Sequence, residues 1–186
     1  MKTIIVTGSV GTGKTGLSKK ISKKLNFQYL DVNEIIKKYN IPEGYDKKRK
    51  SKIIDVSKLN KALIKEISNF KRIIKNNKQI PIKNSKIKND KKIKNGIIID
   101  SHLSHYLPTK YVDLCIVAKC NLKVLEKRLK KRKYSVKKIR ENLDAEIFDV
   151  CLNEAKENNH EVIVLDTSKG IKTTINSLLQ EIKALK

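Results

Sequence analysis

The sequence contains no tryptophan, only 5% aromatic residues and only three cysteines among its 186 residues. So few aromatic side chains leave little surface on which the bases of a single-stranded nucleic acid could stack. The cysteines Cys115, Cys120 and Cys151 include no C-x-x-C pair, so we expect buried free thiols and a reducing, cytoplasmic location. No apolar run approaches the ~20 residues that cross a bilayer, and a strand pattern starts the chain, which predicts neither membrane association nor a signal peptide.

Acidic residues are also scarce, since 19 Asp and Glu stand against 43 Lys and Arg and the net charge is +24. One interpretation is a polyanionic partner, above all RNA. The other is compositional bias, because lysine, asparagine and isoleucine dominate the sequence. Charge by itself leaves both open.

The clearest motif lies near the N-terminus, where Gly8–Thr15 fits G-x-x-x-x-G-K-[ST] without a mismatch. An apolar β-branched run precedes it and a helical pattern follows, which is the context of a phosphate-binding P-loop. Its backbone N–H groups and the helix N-terminus attract phosphate oxygens. We expect Lys14 to reach the β- and γ-phosphates of a nucleoside triphosphate and the Thr15 hydroxyl to bind Mg²⁺.

A second apolar strand pattern, Gly96–Asp100, ends in an acid. Beside a P-loop, such an acid is typical of the Walker B carboxylate that contributes to the Mg²⁺ shell. His102 follows two residues later, at the edge of the sheet where ligands bind in such folds. The sequence therefore predicts Asp100 and His102 as site residues, while His105 has no predicted role.

Strand and helix patterns alternate along the chain, which predicts one α/β domain over residues 1–186 with a five-stranded parallel sheet flanked by helices. The predicted strands are Met1–Thr7, Phe27–Asp31, Gly96–Asp100, Asp113–Ala118 and Glu161–Leu165. The longer predicted helices are Gly13–Leu25, Asp55–Lys75, Ser135–Glu157 and Ile171–Leu185.

Two stretches lack a clear pattern. Ile41–Gly44 predicts a turn, and the basic residues of Tyr45–Lys52 show no periodicity. Lys75–Asn95 holds eight lysines and one aspartate, which indicates either a solvated insertion or a basic arm for RNA phosphates.

Arginine is rare among the cations of this chain, yet Arg128, Arg132 and Arg140 fall within one short stretch. A guanidinium binds phosphate oxygens through two parallel hydrogen bonds, which suits it to a transferring phosphoryl group. We therefore expect Arg132, and also Arg128, to neutralise charge on that group.

Several strings in the sequence resemble the adenylate kinase isoenzyme 6 family, atypical nucleoside monophosphate kinases linked to assembly of the small ribosomal subunit. The resemblance covers most of the chain outside residues 68–95. It is carried by the P-loop, by Tyr29-Leu30-Asp31-Val32, Gly44-Tyr45-Asp46 and Asp100-Ser101-His102, and by matches between Leu125 and Ala155 that include Arg132-Lys133-Tyr134-Ser135 and Glu146-Ile147-Phe148.

The resemblance implies a P-loop nucleoside monophosphate kinase fold, with an acceptor-binding segment near residues 31–54, a basic insertion near 68–95 without a counterpart, and a short lid near 131–141. Residue by residue, it implies that ATP is bound by the P-loop positions and the lid arginine, namely Gly11, Gly13, Lys14, Thr15, Gly16 and Arg132. Lys37 falls where relatives carry an acceptor-binding arginine. The family usually has Arg-Gly-Tyr where this chain has Lys133 between Arg132 and Tyr134, which predicts a stiffer lid turn.

The expected reaction is ATP + AMP = 2 ADP, with Mg²⁺, AMP as the acceptor and ATPase activity beside it. The alternative is an ATP-hydrolysing assembly factor that binds a ribosomal protein or rRNA of the small subunit. A third hypothesis is a P-loop kinase for another small molecule, such as a cytidylate or a sugar acid.

Overall fold

The computed structural model describes residues 1–47, 51–79, 94–170, 173–175 and 178. Most of the predicted basic arm, at 80–93, and most of the predicted C-terminal helix lie outside these residues. Residues 173–175 and 178, which belong to that predicted helix, are helical.

A five-stranded sheet forms the centre of the molecule, and all its neighbouring strands are parallel. Its order along the sheet is β2-β5-β1-β6-β7. The strands are β1 Lys2–Thr7, β2 Gln28–Asp31, β5 Gly96–Asp100, β6 Leu114–Lys119 and β7 Val162–Asp166. The predicted fold class, a five-stranded parallel sheet flanked by helices, is confirmed.

Besides the helical residues 173–175 and 178, six helices have described bounds: α1 Lys14–Leu25, α2 Val32–Lys38, α3 Val56–Gln79, α4 Leu122–Lys131, α5 Val136–Ile147 and α6 Val150–Glu157. Short 3₁₀ turns at Ser104–Tyr106 and Thr109–Tyr111 follow β5. The remaining two strands, β3 Pro42–Asp46 and β4 Ser51–Ile54, pair antiparallel as a separate hairpin.

The core lies on both faces of the sheet because side chains alternate along each strand. In β5, Ile97 and Ile99 belong to a cluster with Leu59 and Leu63 of α3. Ile98 points to the other face, in a cluster with Leu17 of α1. The central strands are therefore buried on both sides, as continuous apolar runs in a parallel sheet require.

Three sequence predictions were wrong in detail. Residues 42–46 and 51–54 form the paired strands β3 and β4, where the sequence predicted a turn and an irregular stretch. Helix α3 continues to Gln79, four residues beyond the predicted end at Lys75. The single helix predicted over Ser135–Glu157 is two helices, because Asp149 has a left-handed φ of 54° that interrupts it.

Candidate active site

The P-loop connects β1 to α1 at the carboxyl edge of the sheet. Gly8 has a φ of 134°, and a Cβ there would lie 2.4 Å from the carbonyl oxygen of Ala118, so no larger residue fits. Ser9 closes the loop, since its carbonyl oxygen accepts hydrogen bonds from the Thr12 hydroxyl at 2.9 Å and the Lys14 ammonium at 2.8 Å. Gly13 caps α1, whose free N–H groups therefore face the loop.

A cavity of about 210 Å³ opens over this loop. It brings together most of the site residues predicted from the sequence and three that were not predicted, Val10, Asn33 and Ser101. The predicted ones are Gly11, Gly13, Lys14, Thr15, Gly16, Asp100, His102 and Arg132. The cavity thus combines a phosphate-binding loop, a carboxylate and two cations, and this combination suits a nucleoside triphosphate.

Asp100 ends β5 and is only 5% exposed. Its Oδ2 accepts a hydrogen bond of 3.0 Å from the hydroxyl of Tyr29 on the neighbouring strand β2. Burial, helped by the charge of Asp100, raises the pKa of Tyr29 well above its usual value, so Tyr29 remains a hydrogen-bond donor at every physiological pH. The Thr15 hydroxyl and the Asp100 carboxylate line the same cavity, and such oxygen ligands fit Mg²⁺.

The ammonium group of Lys14 and the imidazole of His102 line the same cavity. Burial lowers the pKa of Lys14 to about 8, although Cys151 and Asp100 act in the opposite direction. The pKa of His102 is also lowered, first by loss of solvation in the cleft and then by the Lys14 charge. His102 lies at the mouth of the cleft, where solvent reaches its side chain and reduces the lowering of its pKa. Because the usual pKa of histidine is about 6.5 and any lowering favours the neutral form, the imidazole is neutral at pH 7.

Arg132 reaches the cavity from the end of α4, where it is the C-cap residue. Helix α4 begins after Asn121, whose side chain accepts a hydrogen bond from the Lys123 N–H. Immediately after Arg132, Lys133 has a left-handed φ of 56° and turns the chain into α5. Lys133 therefore occupies a conformation that glycine adopts at lower cost, at the point where the resembling family has glycine.

The structure does not bring the other predicted cations into this cavity. Arg128 donates through Nη1 to the Thr12 carbonyl oxygen at 3.2 Å and through Nη2 to the Thr167 carbonyl oxygen at 3.0 Å, so it joins the P-loop to the segment after β7. Lys37 lies exposed in the last turn of α2. Arg140 pairs with Asp144 on the exposed face of α5, at 2.9 Å.

A buried polar network contacts Thr7, the residue that precedes the P-loop. His105 Nδ1 lies 2.7 Å from the hydroxyl of Thr7, the last residue of β1, and its Nε2 lies 2.9 Å from Glu154 Oε2 on α6. Tyr106 donates a hydrogen bond of 2.9 Å to the other oxygen of Glu154. Burial lowers the pKa of His105, although Glu154 opposes this shift. His105, which had no predicted role, thus links the end of β1 to α6.

The cysteines are free, with Cys115 and Cys120 buried and Cys151 partly buried. This confirms the expectation of free thiols for all three. In the part of the chain that the structure describes, no helix is both long and apolar enough to cross a membrane.

Comparisons with known proteins identify relatives of this chain. A family model described as an AAA domain matches residues 4–149. A Methanocaldococcus jannaschii protein named "Putative adenylate kinase" is 33% identical over 97% of this chain and 85% of its own length. The adenylate kinase isoenzyme 6 homolog of Caenorhabditis elegans is 31% identical over 87% of this chain and 76% of its own.

Among solved structures, a deoxyadenosine kinase from M. mycoides aligns with a TM-score of 0.52 over 98% of this chain and 99% of that one. At 18% identity, this likeness concerns the fold alone. The family is shown by the sequence relatives, which are more than 30% identical over most of this chain and of their own length. The chain therefore belongs to the adenylate kinase isoenzyme 6 family and is a P-loop kinase.

Proposed function

We propose that this protein transfers the γ-phosphoryl group of ATP to AMP, giving two ADP, and that Mg²⁺ accompanies ATP. The observation that carries the proposal is that Lys14, Asp100 and Arg132 line one cavity. A phosphoryl-transfer enzyme needs little covalent chemistry from its side chains and acts through position and charge.

In this reaction, the N–H groups of the P-loop and the Lys14 ammonium bind the β- and γ-phosphates of ATP. The Thr15 hydroxyl and Asp100 would hold Mg²⁺, which when bound neutralises charge on the phosphate oxygens. Tyr29 donates a hydrogen bond to Oδ2 of Asp100 and so orients the carboxylate that would hold the ion.

Arg132 is the group that we assign to the transferring phosphoryl. It lies at the end of α4 on a turn, so a small movement of this lid brings its guanidinium over the phosphates. The same movement excludes water from the cavity, which limits hydrolysis of ATP. His102, neutral at the cavity mouth, is a hydrogen-bonding partner for bound phosphate or water.

AMP is the acceptor that we propose, because the relatives in Methanocaldococcus jannaschii and Caenorhabditis elegans are named as adenylate kinases. We place it beside α2, because Asn33 of that helix lines the cavity. Lys37 is the predicted acceptor cation, and its exposed position in the last turn of α2 requires the acceptor segment to close before contact is made.

A second candidate function is an ATP-driven assembly factor for the small ribosomal subunit, in which hydrolysis releases a bound ribosomal protein or rRNA. The net charge of +24 favours it, because such a charge attracts polyanions. In this case ATP hydrolysis, and not AMP phosphorylation, is the relevant reaction.

The test measures ADP and free phosphate released from ATP, with and without AMP, and with and without small-subunit rRNA and proteins. ADP formation that requires AMP and yields no free phosphate is the expected result. Phosphate release that ignores AMP but rises with ribosomal components would favour the assembly factor. A panel of acceptors including cytidylates and sugar acids identifies a kinase of different specificity.

A further inference from the structure

Helix α3 has a strongly cationic outer face. Between Val56 and Gln79 it carries seven basic residues and one acid, Glu66. At 3.6 residues per turn, Lys58, Lys61, Lys65 and Arg72 fall in a sector roughly 60° wide, opposite the buried residues Leu59 and Leu63. This cationic stripe is about 21 Å long at 1.5 Å per residue.

The acid of α3 is matched mainly outside this stripe, although its charge also interacts with that of Lys65. Glu66 Oε1 accepts hydrogen bonds from the Lys38 ammonium at 2.6 Å and from the Tyr39 hydroxyl at 2.7 Å. Both partners belong to the end of α2, so the Glu66 charge is matched there. Lys58 pairs with Asp55 at 3.8 Å, whereas Lys61, Lys65 and Arg72 are exposed on the outer face.

A concave surface adjoins the stripe. A cavity of about 330 Å³ is lined by Tyr39 and Ile41 on one side and by Lys61, Ala62 and Lys65 on the other. The Lys65 ammonium lies 5.6 Å from the centroid of the Tyr39 ring. Although aromatic residues are scarce in this chain, the Tyr39 ring beside ammonium groups offers stacking to one base and charge to the adjacent phosphates.

We propose that the outer face of α3 and the Tyr39 cavity form a binding surface for single-stranded nucleic acid. Phosphates would contact Lys61, Lys65 and Arg72, and an unstacked base would enter the cavity against Tyr39. A duplex does not offer an unstacked base, so the surface favours single strands. None of these residues lines the cavity over the P-loop, and the inference is independent of the proposed kinase reaction.

The experiment measures fluorescence anisotropy of labelled 20-nucleotide RNA and DNA single strands, and of a duplex, between 50 and 300 mM salt. The main variant changes Lys61, Lys65 and Arg72 to Gln, which preserves helix propensity. Its matched control changes Lys20, Lys23 and Lys24, exposed on α1, to Gln and alters the net charge equally. Tyr39→Leu removes the aromatic wall.

We expect the α3 variant to bind single strands at least tenfold more weakly. The magnitude of the slope of log K against log salt concentration should fall by about 2, because each of the three lost phosphate contacts contributes about 0.7. The control should change affinity less than twofold. Tyr39→Leu should weaken single strands roughly tenfold and leave the duplex unchanged. Stronger binding of RNA than of DNA identifies RNA as the ligand, and equal binding identifies any single strand.

Equal losses in the α3 and α1 variants would overturn the proposal, because binding would then follow total charge alone. Competition by polyglutamate as effective per charge as RNA would also overturn it and indicate an acidic protein partner. ADP formation from ATP and AMP is measured in parallel and should be unchanged in the α3 variant. If the α3 variant kept its fold but lost the kinase rate, the Tyr39 cavity would be assigned to the phosphate acceptor instead. Failure of this proposal and failure of the proposed kinase reaction are therefore distinguished.

Discussion

The Tyr29 hydroxyl donates a hydrogen bond of 3.0 Å to Oδ2 of Asp100 and so joins two neighbouring strands at the carboxyl edge of the sheet. The contact fixes the orientation of a carboxylate that we assign to Mg²⁺. We expect Tyr29→Phe to raise the Mg²⁺ concentration needed for half-maximal rate several-fold and to lower kcat about tenfold, with a loss of about 1 kcal/mol in unfolding free energy.

Steady-state kinetics over a Mg²⁺ titration checks this expectation. Tyr111→Phe is the matched control, because that tyrosine does not line the cavity. A Tyr29→Phe enzyme with an unchanged Mg²⁺ requirement but reduced stability would mean that the contact is structural only.

Lys14 is a cation held in a poorly solvated cavity, which lowers its pKa from 10.5 to about 8. This shift corresponds to roughly 3 kcal/mol at 1.36 kcal/mol per unit, reduced to about 1–2 by solvent access and by the hydrogen bond to Ser9. We therefore expect Lys14→Met to abolish catalysis and yet to increase the unfolding free energy of the nucleotide-free protein at pH 7.

The sign of the pH dependence follows from the same shift. The folded chain loses the Lys14 proton at a lower pH than the unfolded chain, so wild-type stability gains from this residue as the pH rises from about 8 to 10.5. Urea unfolding at pH 7 and pH 9.5 measures the gain, which Lys14→Met should lack. A Met variant less stable than wild type at pH 7 would contradict the argument.

Arg132 is the lid arginine of the proposed mechanism. We expect Arg132→Ala to lower kcat by about 10³-fold or more, as for arginines that stabilise a transferring phosphoryl group, with little change in stability. Arg140→Ala is the control, because Arg140 pairs with Asp144 on an exposed helix face, where such pairs contribute little. Equal rates for wild type and Arg132→Ala would exclude Arg132 from the reaction.

Lys133 adopts a left-handed backbone conformation with a φ of 56°. Glycine takes this conformation without the steric cost of about 1 kcal/mol that other residues bear. We expect Lys133→Gly to increase the unfolding free energy by about 0.5–1 kcal/mol, and Lys127→Gly, inside α4, to decrease it by about 1 kcal/mol. Opposite signs in urea unfolding support the prediction, and a destabilised Lys133→Gly protein would refute it.

The sequence predicts where the P-loop and Asp100 lie, because their geometry is local. A glycine pattern between a strand and a helix determines the backbone, and an acid at the end of a buried strand must lie at the carboxyl edge of the sheet. The sequence does not predict the hydrogen bond from Tyr29 to Asp100, because this contact depends on the pairing of β2 with β5, which joins residues far apart in the chain.

Two other differences also have physical causes. Arg128 and Arg132 are four residues apart and share a helix face, so sequence spacing does not separate the residue in the cavity from the one bonded to the Thr12 and Thr167 carbonyls. The interruption at Asp149 went undetected because the apolar pattern continues across it, and aspartate tolerates the left-handed conformation.

The position of β1 in the sheet has a consequence for synthesis of the protein. Although β1 precedes the other described strands in the chain, it pairs on one side with β5 and on the other with β6, so Ile4 lies beside Ile98 and Leu114. During translation the N-terminal strand has no sheet to join until those later residues have left the ribosome. The P-loop that follows β1 is thus supported by its neighbouring strands only after residues 96–119 have been made.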